Sequence, residues 1–230
     1  MLLFDIGYNR GKYTNYFLKE NTEGKSVGVE ANPNLYSMVK ETSPYNVEIL
    51  NYLVCEKSND TRTLFVDPNQ DGASTASEFW MTQGRFKKGS KHLAENNVNW
   101  NTRYEVKTIT LDDLIEEYGP PTVIKIDVEG YTLNVLQGLT KKVGKICFEW
   151  TEEGIENDKK CLSYLRDLGY TEFGCAGYFQ DETPIRITAD NNGDDPSIEP
   201  EWLSYHELLE ELRPLVTPER RINYGMMFAR

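Results

Sequence analysis

Phe4-Asp5-Ile6-Gly7-Tyr8-Asn9-Arg10-Gly11 is the stretch on which the fold turns. A short apolar run ends in an acid, passes through two glycines, and opens into Lys12–Glu20, which has the spacing of an amphipathic helix. That is a strand, a tight turn and a helix, the opening half of a parallel crossover unit. Open parallel sheets bind ligands outside the carboxyl ends of their strands, where strand order reverses. Gly7 and Gly11 let the backbone approach a ligand that a Cβ would keep away.

The same alternation continues in both directions along the chain. Leu2–Ile6 is the first strand, and Ser26–Glu30 the second. Pro33 suits the first turn of the helix Asn34–Glu41. Val47–Leu50, Thr61–Val66, Tyr104–Ile109, Val123–Asp127, Lys145–Trp150, Tyr170–Gly174 and Ile222–Ala229 read as further strands. Leu111–Tyr118, Tyr131–Leu139, Asn157–Leu168 and Leu203–Leu212 read as helices. The pattern predicts an α/β fold, with about seven strands in one sheet and helices on both faces.

Between Asp67 and Arg103 the periodicity dissolves into Gly, Asn and Ser, interleaved with Phe79, Trp80, Phe86 and Trp100. Long irregular segments in compact domains are usually functional, so 67–103 is expected to be a substrate-cap insertion carrying short helices. Asp181–Trp202 is expected to be an acidic, solvated loop. With 230 residues and no internal repeat, the whole chain, 1–230, reads as a single domain with those two excursions.

Charge narrows the partners. Lys and Arg total 25 against 37 Asp and Glu, a net charge of −12. A uniformly acidic surface argues against nucleic acid, whose phosphates need clustered cations, and against an anionic membrane. No stretch approaches the roughly 18 apolar residues of a membrane helix. Met1–Gly7 is too short and too soon charged for a signal peptide. Cys55, Cys147, Cys161 and Cys175 form no C-x-x-C pair and no disulfide framework, so reduced thiols and a cytoplasmic location are expected.

Two cofactor types compete for the first turn. A dinucleotide fingerprint needs Gly-x-Gly-x-x-Gly with pyrophosphate on the helix terminus. Here the second and third glycine positions are Asn9 and Lys12. S-adenosylmethionine carries no phosphate, and Gly-x-Asn-x-Gly after an acid suits it better. Glu30 ends the second strand nineteen residues after Gly11, where an acid can accept from both ribose hydroxyls.

Four ordered motifs then carry a resemblance: Asp5-Ile6-Gly7-Tyr8-Asn9-Arg10-Gly11-Lys12-Tyr13-Thr14, Glu30-Ala31-Asn32-Pro33, Thr110-Leu111-Asp112-Asp113-Leu114, and Ile124-Lys125-Ile126-Asp127-Val128-Glu129-Gly130. In this order they resemble the FkbM-type S-adenosylmethionine-dependent methyltransferases, from about Phe4 to Glu149. The resemblance implies a Rossmann-like sheet of six parallel strands with an antiparallel last strand. It also implies methylation of hydroxyls on sugars and natural products. Tyr8 stands where the family has a small residue, which would narrow the cofactor loop, and Thr132 where a second Glu is frequent.

The candidate cofactor residues are Asp5, Gly7, Asn9, Gly11, Glu30, Asn51, Tyr52 and Asp127. Asp5 would order the loop amides or reach the cofactor ammonium, while Asn51 and Tyr52 follow the third strand, where related folds meet adenine. The candidate catalytic residues are Asp127, Glu129 and His92. Carboxylates stabilise a nearby sulfonium and can take a proton from an attacking hydroxyl. The competing role for Asp127 and Glu129 is capping the next helix. His92 is the better placed of two histidines, the other being His206. Asp127 with Glu149 has the chemistry of a divalent-cation site, but spacing on separate strands does not establish one, and no metal is assigned.

The expectation is therefore methylation, by S-adenosylmethionine, of a hydroxyl on a sugar or small natural-product-like acceptor. Its rivals are N- or carboxyl-methylation, and a non-catalytic cofactor-binding protein with a regulatory or assembly role.

Overall fold

The computed structural model describes residues 1–86, 98–179, 200–212 and 222–230. His92 and residues 181–199 of the acidic loop therefore lie outside the described residues. The first strand, β1 (Leu2–Ile6), lies between β2 (Lys25–Val29) and β7 (Val123–Ile126), parallel to both. Outward from β2 comes β3 (Val47–Leu50). Outward from β7 come β8 (Lys145–Thr151), β10 (Ile222–Ala229) and β9 (Phe173–Phe179). The order β3-β2-β1-β7-β8-β10-β9 makes one seven-stranded sheet, in which β10 runs antiparallel to both neighbours. It is the Rossmann-like sheet expected of six parallel strands and an antiparallel last one.

Successive side chains of a strand point to opposite faces, and β1 shows how the core divides. Phe4 and Ile6 join Leu111, Leu114, Val135, Leu136, Leu162 and Leu165 on one face. These residues come from α4 (Leu111–Tyr118), α5 (Thr132–Leu136) and α6 (Ile155–Asp167). Leu3 joins Tyr13 and Phe17 of α1 (Lys12–Glu20) on the other face. Leu35 and Val39 of α2 (Pro33–Lys40) pack over Val47 and Ile49 at the β3 edge.

Two of the expected strands leave this sheet. β5 (Thr61–Val66) pairs antiparallel with β6 (Thr102–Ile109), and β6 pairs parallel with β4 (Leu53–Val54), forming a separate three-stranded sheet. A 3₁₀ turn at Asp71–Ala73 and α3 (Glu78–Gln83) lie between β5 and β6. The strand expected at Tyr170–Gly174 begins instead at Phe173, because Tyr170 is held back by its hydroxyl, which donates to Gly144 O and accepts from Val143 N. The helix expected over Tyr131–Leu139 is confined to α5, ending before the turn at Gly138.

Candidate functional site

β1 and β2 both end at the turn after Ile6. Gly7 and Tyr8 N–H groups donate to Val29 O, at 3.0 and 3.1 Å, folding the turn back over β2. Gly7 has φ of 78°, and a Cβ there would collide with the Asp127 carbonyl. Asn9 is also left-handed, with φ of 51°, a conformation asparagine tolerates better than most residues. Its N–H donates to Glu30 Oε2 at 2.8 Å, while Asn32 N–H donates to Glu30 Oε1 at 2.8 Å. One carboxylate thus ties the first turn to the second. Burial raises the Glu30 carboxyl above its ordinary pKa, although both amides pull it down.

A cavity of about 640 Å³, open mouth included, lies against these turns. Gly7, Asn9, Glu30, Tyr52, Asp127 and Glu129 all line it. So does the strap Asp71, Gly72, Ser74, Thr75 and Ala76 from the segment expected to be a substrate cap. Arg10 of the glycine turn makes a bidentate ion pair with Asp71, at 3.1 and 2.9 Å. Glu30, Asp71, Asp127 and Glu129 are the charged residues of the lining, and none is basic.

Three expected cofactor residues stand elsewhere. Asp5 is fully buried beneath the cavity, not in its wall. It accepts from Thr14 Oγ1 at 2.7 Å and pairs with Lys125 Nζ at 3.2 Å, its neighbour in register on β7. A buried acid needs such a partner, and with it Asp5 anchors the turn from below. Gly11 caps α1 with φ of 70° and leaves room for the Tyr8 ring, which packs into the core against Gly28. Tyr8 consequently does not narrow the cavity. Asn51 turns inward, its Nδ2 donating to Glu30 O at 2.8 Å and Ala31 O at 3.2 Å, and it leaves the lining to Tyr52. His206 is exposed on α7 (Tyr205–Leu212), its ring against that of Tyr205.

Sequence reading missed the role of Lys125, although a lysine within Val-Ile-Lys-Ile was the signal. An ammonium in a buried central strand must find carboxylates. Lys125 also donates to Gly7 O at 3.0 Å and stands 3.6 Å from Asp127 Oδ2. Burial alone would lower its pKa, yet Asp5 and Asp127 lift it above the usual range, so the ammonium stays charged. Burial conversely pushes Asp5 up, opposed by Lys125 and Thr14.

Asp127 and Glu129 occupy the turn after β7. Glu129 has φ of 49°, and Thr75 Oγ1 donates to its carbonyl at 2.7 Å. Trp80 Nε1 donates to Glu129 Oε2 at 2.9 Å, which gives this indole of the irregular segment a contact with the acidic turn. Ile126 faces Phe148 in register, so Asp127 and Glu149 emerge side by side from β7 and β8. One carboxylate oxygen from each of Asp127, Glu129 and Glu149 lies within 4.8 Å of the others. Burial, then Asp127, lifts the Glu129 carboxyl to about 8, and the same causes raise Glu149 well above the usual range. Glu129 and Glu149 therefore hold protons rather than ionise together.

The comparisons with known proteins bear on this geometry. A hexuronic acid methyltransferase, AglP, from Haloferax volcanii is 26% identical over 169 residues, which cover 71% of this chain and 60% of that protein. The methyltransferase sdnD of Sordaria araneosa is 25% identical over 190 residues, covering 73% of each chain. Among solved structures, the precorrin-6y C5,15-methyltransferase from Geobacter metallireducens aligns over all of this chain and 79% of its own, with a TM-score of 0.47 and 10% identity. The model of the methyltransferase FkbM domain matches residues 5–172, from the acid of the first strand to the edge of β9. That match takes in both turns tied by Glu30 and the whole acidic end of β7 and β8, and by it the chain belongs to the FkbM methyltransferase family.

Proposed function

We propose that this chain is an S-adenosylmethionine-dependent O-methyltransferase acting on a hydroxyl of a sugar or small natural-product-like acceptor. The observation that carries the reading is the charge of the cavity: its lining holds four acids and no base. A dinucleotide pyrophosphate would meet repulsion there, whereas a ligand bearing a sulfonium and an ammonium gains from those carboxylates. Glu30 uses one lone pair of each oxygen on a backbone amide, leaving acceptor capacity for ribose hydroxyls. The printed names of the two relatives support methyl transfer to a sugar-derived or small-molecule acceptor.

When bound, the cofactor supplies an electrophilic methyl group on a sulfonium. The chain's part is positioning. Gly7 and Asn9 shape the turn, Glu30 braces it, and the strap at 71–76 walls off one side. Asp127, with a side chain 36% exposed and Lys125 behind it, faces the cavity as the acid best placed to orient an acceptor hydroxyl. Calorimetry with S-adenosylhomocysteine, followed by radiolabelled methyl transfer to a panel of hydroxyl, amine and carboxylate acceptors, tests the reading. Binding with transfer to hydroxyls is expected. Absent cofactor binding would sink it, and binding without transfer to any acceptor would favour a regulatory role.

A further inference from the structure

A second, smaller recess, about 340 Å³ with its open mouth included, lies beside Trp80. Trp80, Thr132, Glu149, Thr151 and Asn157 line it, with the half-exposed Phe79 at its edge. Glu129 belongs to the wall of the first cavity and Glu149 to that of the second, and their oxygens lie within 4.8 Å. The two spaces therefore approach one another at the acidic end of β7 and β8. A transfer reaction needs such an arrangement, one space for the donor and one for the acceptor, meeting where atoms exchange.

We propose that the second cavity receives the acceptor as an uncharged hydroxyl compound of the polyol or pyranoside type, and that Glu149 takes the hydroxyl proton. The proposal rests on the methyltransferase reading above. An aromatic edge beside threonine hydroxyls and an asparagine amide suits a hydroxyl-bearing ring. The groups facing Glu149 are Asp127 and Glu129 from the β7–α5 turn, Arg85 after α3, and Asp158 from α6. From β10, Met226 stands opposite in register and adds no charge. Burial and neighbouring acids keep these carboxyls from ionising freely, and the same surroundings disfavour a further carboxylate on an acceptor and hence ester formation at this site.

The proton balance is closed. As the acceptor oxygen forms its bond to the methyl carbon, its O–H proton passes to the Glu149 carboxylate. The bond broken is that from the methyl to sulfur, which keeps the electron pair and leaves as S-adenosylhomocysteine. Burial makes the ionised form of Glu149 a stronger base than a carboxylate in water, and the step draws on the fraction of Glu149 that is ionised, so transfer rises with pH.

The test has two arms, both on the full chain. Carboxyl-carbon NMR titration with S-adenosylhomocysteine present should find Glu149 titrating well above the ordinary carboxylate range. Glu149→Gln should move the Glu129 midpoint down. Glu149 titrating like a surface acid would overturn the proposal, as would a large downward shift of its midpoint on adding magnesium, which would assign the cluster to a cation. In the second arm, methyl glucoside should bind at least tenfold more tightly than glucuronate, and Glu149→Gln should narrow that ratio. Equal binding, preference for glucuronate, or no binding of methyl glucoside overturns it. Failure of S-adenosylhomocysteine to bind wild type would instead strike the underlying reading, because the sugar comparison can be made on the free protein.

Discussion

Glu30 braces two turns at the wall of the cavity. Its oxygens hold the Asn9 and Asn32 amides, so Glu30→Ala removes that brace and, on the proposed reading, a ribose acceptor. The affinity for S-adenosylhomocysteine should fall by about 1–3 kcal/mol, the worth of a hydrogen bond to a charged group. Calorimetry checks this, and an unchanged dissociation constant removes Glu30 from the ribose site. Asp127→Asn keeps size and removes charge. Single-turnover transfer should slow by about 10²-fold with cofactor affinity little changed, the cost of losing the group that orients the acceptor hydroxyl. A helix-capping role predicts instead a loss of about 1 kcal/mol in stability with transfer intact. Lys125→Met should cost about 3–5 kcal/mol in urea unfolding, since Asp5 is left buried without its partner. Adding Asp5→Asn should recover much of that loss, and no recovery would mean that Lys125 stabilises the sheet by packing alone.

The segment between β5 and β6 divides its labour. Its strap at 71–76 walls the first cavity and Trp80 holds Glu129, so on the proposed reading the segment touches the cofactor's site as well as the acceptor's. Replacing Gly72–Asn99 by a short turn should therefore weaken cofactor binding as well as turnover. The Arg10–Asp71 pair latches the strap to the glycine turn, with side chains 56% and 28% exposed. Exposed pairs of this kind contribute about 0.2–1 kcal/mol, so Asp71→Ala should barely change the unfolding midpoint. Stopped-flow release of S-adenosylhomocysteine should nevertheless quicken several-fold, and an unaltered release rate would show that the strap does not gate the cavity. The Thr110–Leu114 motif has a different use from the other family-like stretches. Thr110 Oγ1 caps α4 at Asp113 N, Asp112 holds Thr140, and Leu111 and Leu114 are fully buried, so this motif supports the fold away from the cavity.

Across the molecule, the raised acids link stability to pH. Glu129 and Glu149 bind protons more tightly folded than unfolded, so the folded state is protonated over a window in which the unfolded chain is not. From the unfolded value of about 4.3 up to about 8 for Glu129, stability contributed by these groups falls as pH rises. Thermal unfolding should give a lower midpoint at pH 9 than at pH 6, conditions chosen to straddle about 8. Glu149→Gln should flatten that slope, and a wild-type midpoint that rises across the interval would show that the acids do not hold protons. Strand alternation, the glycine turn and Glu30 were legible in the sequence because they rest on local periodicity and on spacing within one crossover unit. Hydrophobic runs likewise named the strands of the main sheet to within a residue or so, except β9, which starts three residues and ends five residues later than expected. The two-residue strand β4 and the departure of β5 and β6 into a second sheet were not legible, since pairing choice depends on partners far along the chain. The same limit explains Asp5, Asn51 and Glu149. An acid at a strand tip reads alike whether it faces a ligand, a buried lysine or two other acids. Chain order determined the sheet and the turn; the register of β1, β7 and β8 decided which carboxylates are paired, which are exposed and which hold protons, because those outcomes depend on distances of a few ångströms between residues on separate strands, 120 positions apart for Asp5 and Lys125 and 22 for Asp127 and Glu149.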